Sequence, residues 1–328
     1  MADKKDITVV GAGPAGLVAA INLNREGYKV ILREKQDSVG GEPGWHPSVH
    51  STPVDVPGLW DYIGIDCSEG FVNISDSYRV VMNGQDLGKM DEKTLGYKLY
   101  NAERGHRPSS LDSVLFRIAE KEGVNLEFGN AFTKEEFDTA PKGTIIATGL
   151  SPKIYDHLGI PYSWFKGYWA YSEIEKDYSS AAIYTGGFSN EYGYAAAMNG
   201  VWYVLLFARK EVSKEQLADF KTLLEEKEGR TFDKWRRFQG QTPKGPKLFH
   251  KNLILTGTMA GFVEPALGFG ITGALLSGKI SAMAVYDPEK AEKEFKHFTD
   301  GIVTHIERKR QEGYAPSMEM QDVWFKVQ

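Results

Sequence analysis

The sequence predicts an α/β fold in which a nucleotide-binding unit built on a parallel sheet is interrupted by a second, sheet-rich region. Three observations support this. An apolar strand, a glycine-rich turn and a helix open the chain over residues 7–34, aromatic strand-like segments crowd residues 151–248, and a buried-type strand followed by an apolar helix returns at 253–285. Strand–helix units at both ends of the chain favour a parallel sheet.

The opening segment has the pattern of a dinucleotide-binding βαβ unit. After the apolar residues 7–10 comes G-x-G-x-x-G. Gly11 permits the tight turn, Gly13 removes the side chain that would hold a pyrophosphate away, and Gly16 lets the helix pack on the sheet. The helix N-terminus then faces the phosphates with unpaired N–H groups. Glu34 ends the next apolar run, where a carboxylate can accept both ribose hydroxyls.

Composition and charge exclude several classes of protein. The net charge of −5 gives no basic field for nucleic acid. The single cysteine, Cys67, excludes an internal disulfide, and no apolar run approaches eighteen residues. We therefore expect a cytoplasmic protein with no nucleic-acid partner and no transmembrane segment, which leaves transient membrane contact open.

Shorter elements fill the region between the opening unit and the middle third. A Gly- and Pro-rich stretch, 37–58, is too long for a plain connection and is predicted to be a functional loop. Ser110 or Leu111 begins an amphipathic helix that Gly123 ends. The remaining predicted strands are 78–82, 98–101, 124–128 and 144–148.

The middle third is the candidate substrate region because of its aromatic content. Strands are predicted at 181–186 and 200–208, followed by a helix from Ser213 to Gly229. Some of the aromatic side chains should line a pocket, although sheet core is the simpler interpretation of any single one of them. The side chains selected for substrate contact are Tyr168, Tyr192, Tyr194 and Trp202.

The last apolar segment repeats the glycine spacing without repeating the unit. Gly268, Gly270 and Gly273 also spell G-x-G-x-x-G, but no strand immediately precedes them. We interpret the run as backbone that approaches a flat cofactor ring, with helix N–H groups aimed at the end of the ring where reduction places negative charge. The charged stretch 288–298 predicts a solvated helix.

Together, the opening turn, the segment 104–112, the turn 147–149 and the run 257–278 resemble the FAD-dependent geranylgeranyl reductase family. That family lies among the glutathione-reductase-like and aromatic-hydroxylase flavoproteins. The resemblance implies reduction of carbon–carbon double bonds in hydrophobic, isoprenoid-like substrates by hydride transfer from flavin N5. It also implies a discontinuous Rossmann-type FAD-binding domain (1–77, 102–150 and 250–287), an inserted antiparallel-sheet substrate domain (78–101 and 151–249) and a C-terminal helical tail (288–328).

The resemblance also suggests which residues hold FAD. Arg104 or Arg107 could reach the pyrophosphate or the ring edge, with a surface ion pair as the alternative. Thr258 stands where the family usually has an aspartate and would donate a hydrogen bond instead. Thr148 stands where hydroxylases tend to have an aspartate, which disfavours a hydroxylase. The full predicted set is Gly11, Gly13, Pro14, Ala15, Gly16, Glu34, Lys35, Gly41, Arg104, Ala147, Thr148, Gly149, Thr258, Gly268, Phe269, Gly270 and Ile271.

The loop after Glu34 is the candidate source of a proton. Alkene reduction needs a proton as well as a hydride, and histidine suits this role near neutral pH. The family often has a cysteine in this loop, whereas this chain has His46 and His50. We predict these two as catalytic; the alternative is that they only hold the loop in place. No metal-ligand spacing is present.

Several alternatives share this fold. A flavin monooxygenase acting on an apolar or aromatic substrate would consume oxygen. A hydratase or isomerase would use reduced flavin without consuming an electron donor, and a non-catalytic flavin carrier or sensor would turn over nothing. Only one dinucleotide site is visible in the sequence. The electron donor is therefore expected to be transiently bound NAD(P)H or a small redox protein.

Overall fold

The computed structural model describes residues 6–312, apart from 54–55, 76, 90, 96–97, 176–177 and 264–267. The strands are β1 (Ile7–Val10), β2 (Val30–Arg33), β3 (Ser48–Pro53), β4 (Phe71–Asn73), β5 (Tyr78–Met82), β6 (Gln85–Lys89), β7 (Leu99–Arg104), β8 (Asn125–Glu127), β9 (Ile145–Ile146), β10 (Tyr162–Glu173), β11 (Ser180–Thr185), β12 (Tyr192–Met198), β13 (Val201–Ala208), β14 (Arg236–Pro243), β15 (Phe249–His250) and β16 (Leu253–Leu255). The helices are α1 (Pro14–Arg25), α2 (Val56–Ile63), α3 (Glu92–Leu95), α4 (Leu111–Lys121), α5 (Lys134–Thr139), α6 (Pro152–Leu158), α7 (Lys214–Glu228), α8 (Ile271–Tyr286) and α9 (Pro288–Glu312).

A six-stranded sheet with the order β15-β16-β9-β1-β2-β8 draws its strands from both ends of the chain. β1 is parallel to β2 and β9, and β9 is parallel to β16, while β15 pairs antiparallel with β16. The register aligns the last residues of the central strands, Val10, Arg33, Ile146 and Leu255. The carboxyl ends of these strands therefore form one edge, which is where ligands bind in open α/β sheets.

A seven-stranded sheet with the order β14-β10-β13-β12-β11-β5-β6 forms a second layer. Its pairs are antiparallel except β11 with β5. Helix α7 packs on one face through the fully buried Phe220. A Cβ on Gly193 would lie only 2.2 Å from the Phe220 ring, so glycine is what permits this close approach. The other face of the sheet is left for the site described below.

A small sheet, β3-β7-β4, connects the two layers. Asn101 of β7 donates through Nδ2 to the carbonyl oxygens of Ser180 and Ala197, each at 3.0 Å, and so fastens this sheet to the seven-stranded one. The prediction that 37–58 is a loop is wrong in part. Residues 48–53 form β3, because they pair along their whole length with β7, and α2 begins at 56.

Two parts of the nucleotide-binding layer that are far apart in the sequence meet where α1 crosses α8. A Cβ on Gly278 would lie 2.6 Å from the Ala15 carbonyl oxygen and 2.9 Å from Val18 Cβ. Both helices are therefore in backbone contact at this crossing, and both begin at the same edge of the sheet.

Capping at the predicted helix starts is confirmed. Ser110 accepts a hydrogen bond from the Ser113 N–H at the start of α4, and Ser213 forms a capping box with Gln216 at the start of α7. The charged C-terminal helix runs further than predicted, to 312. Residues 264–267 of the glycine-rich run and 313–328 of the tail lie outside the described residues. Within the described part of the chain, no helix has the length and apolar character needed to cross a membrane.

Candidate functional site

The turn between β1 and α1 is closed by two glycines that no other residue could replace without a shift. Gly11 has φ +104, and a Cβ there would lie 2.5 Å from the Ala147 carbonyl oxygen. A Cβ on Gly16 would lie 1.9 Å from the Gly11 carbonyl oxygen. Gly13 differs, because a Cβ on it would meet nothing within 4 Å and would point into open space. Gly11 and Gly16 therefore shape the turn, and Gly13 leaves room beside it.

The N-terminus of α1 opens into that room. Gly13 is the N-cap and provides no side-chain hydrogen bond, so the first N–H groups of the helix are not capped. The N-terminus of α8 is similar, with Gly270 as an N-cap that lacks a side chain. Two helix N-termini thus contribute positive partial charge to the same space.

Glu34 lies at the end of β2 and is 8% exposed. Its Oε2 accepts a hydrogen bond from the Ala12 N–H at 2.8 Å, and its Oε1 accepts one from the Gln36 N–H at 2.9 Å. These bonds fix the carboxylate at the edge of the turn. Each oxygen keeps lone-pair capacity for a further donor, such as a ribose hydroxyl.

The turn after β9 faces β1 and carries an unsatisfied polar group. Ala147, Thr148 and Gly149 line the same space as Gly13. The Thr148 hydroxyl oxygen is buried and has no hydrogen-bond partner among the described residues. A buried hydroxyl without a partner costs free energy, so the turn is built for a group that would complete this bond.

Arg104 is held by a buried carboxylate. Its Nε and Nη2 donate to Asp112 at 2.7 and 2.9 Å, and the Gly105 N–H donates to the same carboxylate at 3.0 Å. Burial acts to raise the pKa of Asp112, but the Arg104 guanidinium and these hydrogen bonds outweigh it and hold that pKa below its ordinary value. Arg104 is thus a fixed cation with Nη1 left over, and it lines the cavity together with Gly41. The ion pair expected as the alternative is present, but its acid is buried rather than on the surface.

The two histidines predicted as catalytic lie on either side of Ser48. His46 Nδ1 is 2.9 Å and His50 Nε2 is 2.8 Å from the Ser48 hydroxyl oxygen. Burial, reinforced by the Arg104 cation, lowers the pKa of His46 to about 4 and that of His50 to about 3. Both rings are therefore neutral at pH 7. The sequence-based argument that a histidine is partly protonated near neutral pH does not apply to either residue.

Tyr194 is fixed in a chain of hydrogen bonds whose donors can be assigned. Because Asn101 Nδ2 faces two carbonyl groups, its Oδ1 is the acceptor for the Ser51 hydroxyl, 2.7 Å away. The Ser51 hydroxyl proton is thereby used, so the Tyr194 hydroxyl, 2.8 Å away, donates to Ser51 Oγ. The Ser51 N–H also donates to the Tyr194 oxygen at 2.7 Å. Burial raises the pKa of Tyr194 above its ordinary value, which keeps this hydroxyl protonated.

Strand alternation divides the aromatic residues between two faces of the seven-stranded sheet. Tyr192 and Tyr194, two of the four side chains selected for substrate contact, line the cavity. Tyr168 and Trp202 do not, because they pack on the opposite face against α7, and for these two the expected contact is wrong. The rings that face the cavity from this sheet are Phe165, Trp169, Tyr192, Tyr194, Tyr203, Phe207 and Phe238.

The glycine turn, Glu34, Thr148, Arg104, the two histidines and the cavity-facing rings surround one cavity of about 780 Å³. This volume is typical of cofactor and small-molecule sites. It extends from Glu34 and Lys35, past Gly13 and the 147–149 turn, to the aromatic face of the sheet. Every residue predicted to hold the cofactor lines it except Gly16, which packs against Gly11 instead. No group of described residues has the composition of a metal site.

The residues that line the cavity suit the separate parts of FAD. The open direction at Gly13 and the uncapped start of α1 suit a pyrophosphate, the fixed Glu34 carboxylate suits an adenosine ribose, and Thr148 offers an unused hydroxyl. Gly270 and Ile271 at the start of α8 suit the polar end of an isoalloxazine ring.

Comparison with known proteins agrees with this geometry. Residues 9–55 match the family model of the NAD(P)-binding Rossmann-like domain. A digeranylgeranylglycerophospholipid reductase from Methanococcus vannielii is 27% identical over 330 residues, covering 88% of this chain and 79% of that protein. A flavin-containing monooxygenase of Arabidopsis thaliana, FMO GS-OX-like 5, is 52% identical over 50 residues, only 15% of this chain and 11% of that protein. The chain is thus similar to a reductase of a geranylgeranyl lipid over most of its length and to a flavin-containing monooxygenase over a short segment.

Solved structures show how widely the fold of this chain is shared. A geranylgeranyl bacteriochlorophyll reductase-like protein from Thermoplasma acidophilum has a TM-score of 0.61 at 16% identity, covering 94% of this chain and 85% of that one. A p-nitrophenol 4-monooxygenase from Pseudomonas putida has a TM-score of 0.64 at 16% identity, covering 97% and 92%. The resemblance to geranylgeranyl reductases and the Rossmann-type α/β fold with an additional antiparallel sheet are confirmed. The geometry of the cavity supports FAD as the predicted cofactor.

Two residues of the site are not predicted from the sequence. Tyr203 lines the cavity, whereas the residue selected from the sequence for substrate contact is its neighbour Trp202. The signal that identifies Tyr203 is the pairing of β12 with β13, which places residues 203, 205 and 207 on one face of the sheet. Ser48 lies between the two histidines at a spacing of two on either side, and that i, i+2 pattern is typical of one face of a strand.

Proposed function

We propose that this protein uses FAD to reduce a carbon–carbon double bond in a hydrophobic, isoprenoid-like substrate. The observation that carries the proposal is the aromatic face of the seven-stranded sheet, which forms one wall of the cavity whose other walls suit FAD. That wall holds mainly aromatic and aliphatic surface beside the cofactor region, as an apolar chain requires. The relative from Methanococcus vannielii is named as a reductase of a geranylgeranyl lipid, which supports the same class of substrate.

The segments 78–101 and 151–249 act as a substrate domain in the proposal, and the wall itself comes from 151–249. Tyr192 is stacked on Phe207, with ring centroids 5.2 Å apart and planes inclined by 26°. Phe165 lies 5.2 Å from the same Phe207 ring. Such a packed aromatic surface keeps its shape when water leaves, so it can align an apolar chain without large rearrangement.

The chain's part in the reaction is to position the alkene, exclude water and provide a proton. FAD, when bound and reduced, supplies the hydride for one alkene carbon, and the substrate gains two electrons as the flavin loses them. The other carbon needs a proton. His46 and His50 lie in the cavity wall as neutral rings, so each offers an N–H rather than a standing positive charge. The electron donor is proposed to be NAD(P)H or a small redox protein.

The test is anaerobic. The purified holoprotein is reduced with dithionite, geranylgeraniol is added, and flavin reoxidation is followed at 450 nm while products are identified by mass spectrometry. Reoxidation with a product heavier by two hydrogen atoms per reduced bond supports the proposal. The fully saturated analogue of geranylgeraniol is the control and should cause no reoxidation.

Oxygen uptake in the same preparation separates the remaining functions. Uptake that rises with an aromatic or apolar substrate, with an oxygenated product, would replace the reductase by a monooxygenase. Reoxidation by air alone, unaffected by geranylgeraniol or by an added aromatic substrate, would favour a flavin carrier or sensor.

A further inference from the structure

Ser48 is a buried hydroxyl whose only hydrogen-bond partners among the described residues are two histidine rings. It is 2% exposed, and its oxygen lies 2.9 Å from His46 Nδ1 and 2.8 Å from His50 Nε2. The hydroxyl has one proton to donate. With no third acceptor in the described structure, it donates to one ring and accepts from the other. One of the two facing nitrogens therefore carries a proton and the other does not.

The outer nitrogens of the two rings are open. His46 Nε2 and His50 Nδ1 make no hydrogen bond to a described residue, and neither is among the buried atoms that lack a partner. Both residues line the cavity. The atoms that flank Ser48 are engaged, whereas the atoms at the two outer ends can exchange protons with water or a ligand.

The two ends reach different surroundings. His46 lies against the glycine turns, since a Cβ on Gly41 would be 3.2 Å from His46 Nε2 and one on Gly105 would be 2.9 Å from His46 Cβ. Residues 42–44 next to this end are exposed to solvent. The His50 ring lies 6.0 Å from the Tyr203 ring, on the aromatic wall. One end thus faces the solvent side and the other faces the proposed substrate.

We propose that His46, Ser48 and His50 form a proton relay that delivers a proton to the substrate side of the cavity. A proton binds at His46 Nε2, the His46 Nδ1 proton passes to Ser48 Oγ, the Ser48 proton passes to His50 Nε2, and the His50 Nδ1 proton leaves to the alkene carbon. One proton enters and one leaves, and no residue is oxidised or reduced. After the product leaves, the reverse shift restores the starting tautomers: His50 Nδ1 takes up a proton from water, the two protons beside Ser48 move back, and His46 Nε2 releases a proton to water. This relay rests on the proposed reductase function for its acceptor.

The electrostatic surroundings favour a relay over a charged acid. Burial is the largest effect and disfavours a positive charge on His46; Arg104 and His106 act in the same direction, and Asp112 opposes them. For His50, burial is again the largest effect and disfavours a positive charge; Arg104 and His46 act in the same direction, and Asp112 opposes them. A neutral chain transfers a proton without keeping an imidazolium beside Arg104.

The first test measures tautomers without substrate. Two-bond ¹H–¹⁵N spectra of histidine-labelled holoprotein distinguish protonated from bare ring nitrogens, and His46→Gln and His50→Gln assign the signals. We expect one protonated and one bare nitrogen facing Ser48. Ser48→Ala should change the tautomer ratio of both rings at least twofold, and Ser48→Thr, which keeps a hydroxyl, should restore it. Ser281→Ala, which removes a buried hydroxyl bonded within α8, is the matched control and should leave both ratios unchanged.

Protons on both facing nitrogens, or tautomer ratios that Ser48→Ala does not alter, would overturn the relay. The second test is single-turnover reoxidation of the reduced holoprotein by geranylgeraniol. Ser48→Ala should slow it 10- to 100-fold at saturating substrate, with partial recovery in Ser48→Thr; an unchanged rate would also overturn the relay. If the wild-type protein does not reduce geranylgeraniol, the proposed function fails, and the tautomer spectra still decide whether the three residues are coupled.

Discussion

Substituting Gly13 and Gly16 separately by alanine should separate cofactor binding from folding. Both belong to the same motif, yet the structure gives them different surroundings. A Cβ on Gly13 meets nothing within 4 Å, while a Cβ on Gly16 lies 1.9 Å from the Gly11 carbonyl oxygen. Since real Cβ contacts do not fall below 3.0 Å, α1 must move by more than 1 Å from the turn in Gly16→Ala.

The expected free-energy changes follow from these distances. Overpacking of this severity costs about 3 kcal/mol, and the better helix propensity of alanine offsets about 1 kcal/mol, so Gly16→Ala should lose about 2 kcal/mol of unfolding free energy. Gly13 has φ −76 and ψ 177, which alanine adopts readily. In the absence of FAD, the unfolding free energy of Gly13→Ala should therefore lie within about 1 kcal/mol of the wild-type value. Its methyl group occupies space intended for pyrophosphate, which should weaken FAD binding 10- to 100-fold, or about 1.4–2.8 kcal/mol.

Two measurements check this. Urea unfolding of the deflavinated variants gives the stability differences, and titration of each with FAD, followed by quenching of flavin fluorescence, gives the affinities. Wild-type FAD affinity in Gly13→Ala would refute the placement of the pyrophosphate at Gly13. Wild-type stability in Gly16→Ala would refute the backbone contact between α1 and the turn.

Further predictions concern the ribose, the aromatic wall and pH. Glu34→Gln should weaken FAD binding about 10-fold, because a charge-assisted hydrogen bond becomes a neutral one; unchanged affinity in the same titration would contradict the ribose contact. Trp202→Ala should cost about 3–5 kcal/mol in urea unfolding, whereas Tyr203→Phe, which removes a hydroxyl with no described partner, should stay within about 1 kcal/mol; equal losses would contradict the division of the sheet into two faces. The folded-state pKa values of His46 and His50, about 4 and about 3, lie below the unfolded value of 6.5. Stability should therefore fall as pH drops from 6.5 towards 4, by about 1.4 kcal/mol per pH unit for each ring, and His50→Gln should flatten this slope in urea unfolding curves measured at several pH values.

The nucleotide-binding half of the molecule could be read from sequence because its signals are local. Gly11, Gly13 and Gly16 act through backbone geometry that spacing alone specifies, and Glu34 follows at a fixed distance along one βαβ unit. Capping at Ser110 and Ser213 is likewise decided within one turn of helix. Such features do not depend on which distant segment packs against them.

The substrate half could not be predicted in the same way, because the role of each residue there depends on which distant segment packs against it. The strand 201–208 is buried on both faces, so burial does not tell whether Trp202 or Tyr203 faces a ligand. That choice is made by α7, which covers one face through Phe220, and by no residue of the strand itself. The state of His46 also depends on long-range packing, since burial and Arg104, far along the chain, make the ring neutral.

The crossing of α1 and α8 has a consequence for how the protein is made. The glycine turn is complete by residue 34, but the Gly278 contact that seats α1 against α8, and the strand β16 that pairs with β9, are synthesised more than 200 residues later. Contacts this distant in sequence form late and slow folding. A ribosome-bound chain that has just finished β2 therefore contains every residue of the motif and still lacks the layer that supports it. We expect that an isolated fragment ending before residue 250 would not retain FAD.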